Sequence, residues 1–528
     1  MKHTISVILL ALFLASPVVS GDKETPTSGV IIDSVAIDNR NIYDLDDPQY
    51  RHWIFKLANK FNIKTKKSFI KRELLLREGD LYSDALAEET AHNLRALSHI
   101  WNAGVCLRQI DSVAVLQVTT SDRWSLVGGP SIKRSAGETT YQLGFEEANF
   151  LGYGQFVGVN VFIRDFDDDF YSLAYTYPRM LGTNLRFNGY RNTSPETGLS
   201  WIELSQPRLS LSQRFSFSFK FEHIDRRNDY YRNGEIVARD DVAGYDFSGK
   251  VSQRWWGYHT KFMAALLYKY MDIDVSNRQL YADDVSVTFA RDSLFHFVEG
   301  QLGIEDIRYV KTRRINIFSR DEDVDLISGV YIKYGRAWDR QEGGKLYDKF
   351  TLEAHLDRYW PPHLFLTDFE RNEWFNGSVS FRKRQDVSIK YYYNGLTWYT
   401  PVAAIHHTRD IRQDRMRFLF VGGNAGIRGY PRNYRNGEKR LLINLEQRFF
   451  PGLRLVAHDL GLAQFVDLGQ SWSHGETLDF SDMNWSVGVG IRIGAERIAR
   501  EEALRIDLAY AGRPKTWEIS FGLGQFID

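Results

Sequence analysis

The chain has 528 residues, of which 25% are charged and 14% aromatic, and its 67 Lys and Arg residues balance 67 Asp and Glu residues. Because there is no basic excess, the composition does not indicate a nucleic-acid-binding protein. No stretch after the N-terminus has about 18 successive apolar residues, so the sequence predicts no transmembrane helix.

The first twenty residues predict a cleavable export signal. Lys2 supplies the positive charge, residues 5–15 form a short apolar run, and residues 18–20 are suited to cleavage. We therefore assign residues 1–20 to a signal peptide and residues 21–29 to a polar leader. An exported chain with one cysteine, Cys106, fits a bacterial envelope protein, and we expect this thiol to be buried and structural.

Residues 30–121 predict a small α/β domain. A strand at 30–37 precedes a helix opened by Asp47 and Pro48, whose apolar positions from Tyr50 to Phe61 recur on one helical face. A second helix is predicted at about 83–98, and two strands at about 104–110 and 112–119. The predicted order is β-α-α-β-β.

From residue 122 to residue 528, two-residue alternation replaces the helical period. Phe215, Phe217, Phe219 and Phe221 interleave with polar residues, and so do the apolar residues of 485–493 and 504–510. A region of this size, with aromatic apolar faces in an exported chain, predicts an antiparallel transmembrane β-barrel. A soluble sandwich or propeller is the alternative.

The number of strands is less clear than their type. Strands marked from Trp124 number between 16 and 20, an even number is expected, and we take 16. The polar stretches 225–241, 273–292 and 401–414 are expected to be surface loops. The stretch from about 305 to 325 is unassigned.

The Gly-rich stretch 421–430 contains a single arginine, Arg428, and is predicted to fold into the barrel. Its tip is Ile427, Arg428, Gly429 and Tyr430. Glu446 and Asp467 alternate with aliphatic residues on later strands, so both acids face the lumen if the aliphatics face lipid. The alternative is an exposed loop with a solvated arginine.

Several segments together resemble the BamA/TamA superfamily of outer-membrane assembly and translocation proteins, the bacterial surface antigen family. Residues 62–82 and 119–124 resemble a POTRA domain. Residues 144–154 resemble the early barrel hairpin of the family, 488–492 its penultimate region and 521–526 its closing strand. The resemblance implies a barrel in the bacterial outer membrane and one POTRA domain in the periplasm. It also implies that Arg428 pairs with Glu446 and Asp467.

The resemblance further implies a seam between the first and last strands that can open toward lipid. Gly128, Gly129 and Pro130 in the first strand, and Gly522 and Gly524 in the last, predict poor hydrogen bonding there. The chain departs from the family in two respects: it has room for only one POTRA domain, and it ends on Asp528 rather than an aromatic residue.

Three functions follow as hypotheses. In the leading one, the chain inserts or translocates a client polypeptide, which the POTRA domain receives by pairing with an exposed sheet edge. The alternative is a passive outer-membrane pore without a polypeptide client. An enzyme is not expected, because no catalytic triad spacing, metal motif or phosphate loop is present. We expect neither a cofactor nor a metal, and we interpret the acidic run 165–169 and His406–His407 as loop residues.

Overall fold

The computed structural model describes residues 27–135, 138–232, 235–281, 292–315, 321–339, 344–412, 419–423, 426–455, 458–495, 497–498 and 503–527. The predicted signal peptide and residues 21–26 of the leader lie outside the described residues.

The small domain combines a three-stranded sheet with three helices. Its elements are β1 (Thr27–Ile31), β2 (Ser34–Arg40), α1 (Trp53–Phe61), α2 (Lys67–Glu73), β3 (Leu81–Ser83), α3 (Asp84–Arg95), β4 (Ile100–Ile110) and β5 (Val113–Asp122). The sheet order is β2-β5-β4, with β2 parallel and β4 antiparallel to β5, so β4 is an edge strand. Helix α2 and the short strand β3 add to the predicted order.

Two details of the small domain differ from expectation. Pro48–Tyr50 forms a separate 3-10 turn, and α1 begins only after His52, whose Nδ1 accepts from the Ile54 amide at 3.4 Å. Cys106 is exposed, so the prediction of a buried thiol is wrong. It lies on the edge strand β4, where alternate side chains point away from the core.

The rest of the described chain forms an antiparallel barrel of twenty strands, β6 to β25. The first ten are β6 (Leu126–Ser135), β7 (Glu138–Phe150), β8 (Gln155–Arg164), β9 (Phe170–Tyr177), β10 (Arg186–Asn192), β11 (Leu199–Gln206), β12 (Phe215–Arg232), β13 (Glu235–Trp255), β14 (Thr260–Leu280) and β15 (Ser293–Arg313). The others are β16 (Asp321–Asp339), β17 (Lys345–Leu356, continued by Arg358–Trp360), β18 (His363–Asn376), β19 (Val379–Tyr393), β20 (Tyr399–Arg412), β21 (Lys439–Phe449, continued by Arg454–Leu455), β22 (His458–Trp472), β23 (Asn484–Ala495), β24 (Leu504–Ala511) and β25 (Thr516–Leu523). Strand order closes the barrel by placing β25 beside β6.

The prediction of 16 strands is therefore wrong, although that of an antiparallel barrel is confirmed. The predicted loop 225–241 is the paired end of β12 and β13, and most of the predicted loop 401–414 belongs to β20. Residues 225–229 are polar on both faces, and residues 402–405 are apolar on both faces, so alternation fails in both segments. The unassigned stretch 305–325 holds the end of β15 and the start of β16.

Alternation separates an apolar outer wall from a polar interior. On the outside, Leu143 is 63% exposed and Val489 is 53% exposed, whereas Arg492 inside is 1% exposed. The same contrast recurs around the barrel at Ile163, Ile202, Phe219, Phe221, Tyr245, Leu266, Leu302, Ile332 and Leu445, which are all exposed. Across the described ranges, no helix has the length and apolar character needed to cross a bilayer.

The small domain is held against one end of the barrel by buried polar contacts. Arg179, which follows β9, donates through Nε to Glu73 of α2 at 2.6 Å. Arg95 of α3 forms a bidentate pair with Asp323 at the start of β16, at 2.6 and 3.0 Å. Glu89 of α3 accepts from the Leu211 amide at 2.5 Å. Side chains of α2 and α3 thus bind residues at the ends of several barrel strands.

His92 makes this contact dependent on pH. Its ring stacks on Tyr309 at 4.3 Å between centroids, and its Nε2 lies 3.4 Å from Asp325 Oδ1. Burial lowers the pKa of His92, but the carboxylates of Asp323 and Asp325 outweigh burial and raise it to about 9. The protonated ring therefore favours the docked state below the ordinary pKa of about 6.5.

We expect this contribution to disappear as the pH rises through about 9. The shift corresponds to at most about 3 kcal/mol of docking free energy. Spin labels on the small domain and on a barrel turn, with distances measured between pH 6 and pH 10, should show wider separations at high pH. His92→Gln should remove most of the pH dependence. An unchanged pH profile in that variant would assign the effect to another group.

Candidate functional site

The segment between β20 and β21 turns back into the barrel. Its stem is a short pair between Leu419–Phe420 and Asn436–Gly437, and the Ile427 amide donates to the Val421 carbonyl at 2.7 Å. Val421, Ile427 and Tyr430 are fully buried, and they pack with residues of β21 and β24. Asn424 and Ala425 of the predicted stretch lie outside the described residues. The described tip therefore occupies the lumen.

Arg428 is the charged centre of this loop. Its guanidinium donates to both carboxylate oxygens of Asp467, at 2.8 Å from Nε and 2.9 Å from Nη2, and to Glu446 Oε2 at 2.8 Å from Nη1. The backbone amide of Arg428 also donates to Asp467 at 3.1 Å. All three side chains are at most 3% exposed. The structure thus brings together the arginine and the two acids that the sequence singled out.

Tyr430 and Gly429 fix the approach of the loop to the wall. The Tyr430 hydroxyl donates to the Trp485 carbonyl at the start of β23 at 2.9 Å. Gly429 has φ +83°, and a Cβ there would lie 3.2 Å from Cβ of Ala509. A side chain at position 429 would therefore be strained by its backbone conformation and crowded by β24.

The ion pairs continue along the inner wall. Arg492 of β23 donates to Asp507 of β24 at 2.6 Å and lies 3.3 Å from Glu446 Oε2. Arg448 donates to Glu446 at 2.8 Å, so Glu446 faces three guanidinium groups. Buried charges are costly to desolvate, and such a network is stable only when its members are paired. The network therefore holds four neighbouring strands and the loop in one arrangement.

The C-terminal tail is part of the same site. Strand β25 ends at Leu523, and Gly524, with φ +80°, is followed by a tail that runs into the lumen. The guanidinium carbon of Arg428 lies 4.0 Å from the ring centroid of Phe526. It also lies 3.4 Å from the ring centroid of Phe465. Such cation–π contacts are strongest when desolvated. The loop arginine is therefore in direct contact with the chain that continues the last barrel strand.

The tail is anchored at two further points. Arg448 Nη2 donates to the Ile527 carbonyl at 2.5 Å, and Arg492 Nε donates to Gln525 Oε1 at 3.2 Å. Ile527 is 4% exposed and packs in an apolar cluster with Leu364, Tyr392 and Val402, which lie on β18, β19 and β20. The family resemblance predicted that residues 521–526 belong to the closing strand, whereas in the structure β25 ends three residues earlier, at Leu523.

Two glycines of β23 make room for these groups. Opposite Phe465, a Cβ at Gly488 would lie 2.2 Å from the Phe465 ring. Opposite Asp507, a Cβ at Gly490 would lie 2.0 Å from the Asp507 carboxylate. The alternation Gly488–Val489–Gly490 is thus required by the inward-facing ring and carboxylate, while Val489 faces outward.

The residues predicted for the seam lie on the two strands where the barrel closes. Gly128, Gly129 and Pro130 belong to β6, and Gly129 has φ +141°. Gly522 lies in β25 opposite Arg505, and Gly524 follows the strand. β6 has 10 residues and β25 has 8, whereas β13, β14 and β15 have 21 each. The seam strands are short, but β9, β10, β11 and β24 have only 7 or 8 residues as well. Strand length therefore does not single out the seam, and the ability of its strands to separate stays a prediction.

Sequence reasoning missed several members of the site. Arg448, Asp507 and Arg492 were visible as inward positions of alternating strands, but nothing marked them as members of the ion-pair network around Arg428 and Glu446. Phe465 was missed because an aromatic residue on a barrel strand is expected on the lipid-facing side, although its parity with Asp467 places it inside. A charged residue two positions from a predicted partner on the same strand face is a signal that could have found Arg448, which follows Glu446 by two residues. Arg492 and Asp507 carry no such signal.

Comparison with known proteins finds similarity to solved structures only. No protein-family model and no curated protein matches the chain. Among solved structures, it is similar to BamA from Haemophilus ducreyi lacking POTRA domains 1–3, with 13% identity over 93% of this chain and 84% of that chain, and a TM-score of 0.37. It is also similar to CdiB from Acinetobacter baumannii, with 10% identity over 94% and 73% of the two chains and a TM-score of 0.44. For CdiB from Escherichia coli the identity is 9% over 94% and 76%, and the TM-score is 0.45. All these scores are below 0.5, and the fold is defined by the chain's own strand pairing.

Proposed function

We propose that this chain is a bacterial outer-membrane protein that inserts or translocates a client polypeptide. The small domain, on the periplasmic side, receives the client at the edge of β4. The client then passes at the seam between β6 and β25 or through the lumen. The exposed apolar outer wall supports the membrane setting, because in lipid only a closed barrel pairs all the backbone groups of its strands.

The contact between Arg428 and Phe526 carries this proposal. Phe526 is three residues past the end of β25, so the residue that pins the lumenal loop also touches the continuation of a seam strand. Any movement of β25 away from β6 would pull on Phe526, and therefore on Arg428 and its carboxylates. A passive pore has no need of such a link between its plug and one particular strand.

A passive pore is the second candidate, and one observation favours it. A cavity of about 520 Å³ lies inside the barrel, lined by charged side chains that include Lys250, Arg254, Lys333 and Glu305. Ions could pass through such a polar cavity. In planar bilayers a passive pore should give large, steady conductance, whereas a lumen filled by the loop and tail should give small, flickering currents.

In-cell crosslinking at the edge strand tests the polypeptide client. Native Cys106 is exposed on β4 and can carry a photo-crosslinker directly. If a client adds a strand to this edge, residues 104, 106 and 108 should all crosslink to the same polypeptides, because alternate residues of a strand share one face. Mass spectrometry identifies the products.

A crosslinker at Lys71, exposed on α2, is the matched control and should capture several-fold less of those polypeptides. Equal capture at Lys71 and Cys106, together with large steady conductance, would contradict the proposal in favour of the pore.

A further inference from the structure

Helix α1 exposes most of the apolar face that the sequence predicts for it. Trp53 and Phe61 are each 64% exposed, Leu57 is 42% exposed and Ile54 is 41% exposed. At 100° per residue these four positions fall within about one quadrant of the helix. The opposite side holds Phe55, which is buried against Tyr43 and Tyr50. The helix is therefore anchored by one face and presents a second apolar face outward.

The charged residues of the helix and of its flanks from 51 to 67 have one sign. Residues 51–67 contain no Asp or Glu. They contain six exposed cations, namely Arg51, Lys56, Lys60, Lys64, Lys66 and Lys67. An apolar stripe with Trp, Leu and Phe, bordered by lysines, is the pattern of a helix that lies in a membrane interface. Lysine stems can also cover apolar surface while the ammonium reaches lipid phosphates.

The position of α1 agrees with a membrane partner. Eleven residues before the helix begins, the Ile42 carbonyl accepts a hydrogen bond from Arg497, which lies in the turn between β23 and β24. Just after it, the Ile63 carbonyl accepts from Asn149 at 2.7 Å, and the Lys66 amide donates to the Gly152 carbonyl at 2.9 Å. Asn149 and Gly152 lie at the turn between β7 and β8. Helix α1 is therefore held at the rim of the barrel, between turns on either side of the seam.

We propose that α1 lies in the surface of the periplasmic leaflet, with its apolar face among lipid chains and its lysines on anionic headgroups. This places an interfacial helix beside the junction of β6 and β25. The inference rests on the barrel spanning a bilayer, and it does not require passage of a polypeptide. The partner is an anionic lipid surface rather than a protein, because the charged residues of 51–67 are all cationic and complement phosphate groups along the helix.

The test measures how deeply α1 sits in lipid. The full chain carries a nitroxide at Leu57→Cys or at Phe61→Cys in a Cys106→Ser background, in nanodiscs of phosphatidylcholine with or without phosphatidylglycerol. Collision rates with oxygen and with a nickel chelate report depth, because oxygen concentrates in lipid and the chelate stays in water. A nitroxide on native Cys106, exposed on β4, is the aqueous reference.

We expect the ratio of oxygen to chelate collisions at 57 and 61 to exceed that at 106 several-fold, and to be highest with phosphatidylglycerol. Lys60→Glu should lower the ratio in the anionic nanodiscs. Arg108→Glu, an equal charge change at an exposed position of β4, should leave it unchanged.

Labels at 57 and 61 that are as accessible to the chelate as the label at 106 would overturn the proposal. So would protection that appears in cells but not in nanodiscs, which would assign this face to a polypeptide. Crosslinking at β4 is independent of both results, so failure here and failure of the proposed function can be told apart.

Discussion

Arg428→Ala is expected to destabilise the barrel by about 3–5 kcal/mol, because removal of one partner leaves buried carboxylates uncompensated. Asp467 loses the most hydrogen bonds in this variant, because the Arg428 side chain donates to both of its carboxylate oxygens. Apart from Arg428, its side chain accepts only from Asn444, at 2.9 Å, among the described residues. Glu446 keeps Arg448 and Arg492. The measurement is the temperature at which the purified barrel loses its compact form on a semi-native gel, supported by denaturant unfolding in detergent.

Arg432→Ala is the matched control in the same loop. Arg432 lies 3.0 Å from Glu196, and its side chain is 43% exposed, so its loss should cost at most about 1 kcal/mol. Equal effects of the two alanine variants would show that the buried pairs contribute nothing specific.

A second substitution separates lost contacts from the orphaned charge. Asp467→Asn added to Arg428→Ala should recover part of the lost stability, because it removes the unpaired carboxylate while it keeps the side chain's size. If the double variant is less stable than Arg428→Ala, the destabilisation arises from lost packing against Phe465 and Phe526 rather than from charge.

A disulfide across the seam is expected to abolish the activity that depends on opening. Cysteines at residues 129 and 522, and at neighbouring positions of β6 and β25, would be introduced into the Cys106→Ser chain and screened for crosslinking. The readout is the abundance, in isolated outer membranes, of those proteins that decline when the chain is deleted. Oxidised cells carrying a locked variant should resemble the deletion strain, and a reductant should restore the abundance.

The matched control locks two strands away from the seam. Val489 and Leu508 face each other outward across β23 and β24, so a disulfide between cysteines at these positions also crosslinks the barrel wall. This control should retain full activity under oxidising conditions. Normal abundance in the seam-locked strain would exclude lateral opening there and leave the lumen as the only route.

The alternating strands, the apolar outer wall and the inward acids could all be predicted from the chain, because a strand's two faces are set by residue parity alone. The alternating segments 485–493 and 504–510 coincide with β23 and β24. The count of all strands failed, because polar and apolar residues are mixed on both faces at the ends of β12, β13 and β15, and at the start of β16 the residues that alternate with acids pack into a buried apolar cluster. Several of these ends contact the small domain, which a pattern along the chain cannot register.

The sequence by itself determined which strand residues share a face, since parity is local, and it marked Arg428, Glu446 and Asp467 as a set of complementary charges. Only the tertiary structure decided that Asp507, Arg492 and Phe526 belong to the same site, because their proximity depends on the register between strands and on the inward turn of the tail. It also decided that α1 turns its apolar stripe outward. Helical periodicity defines a face, but which neighbour covers that face depends on how the domain is seated against the barrel.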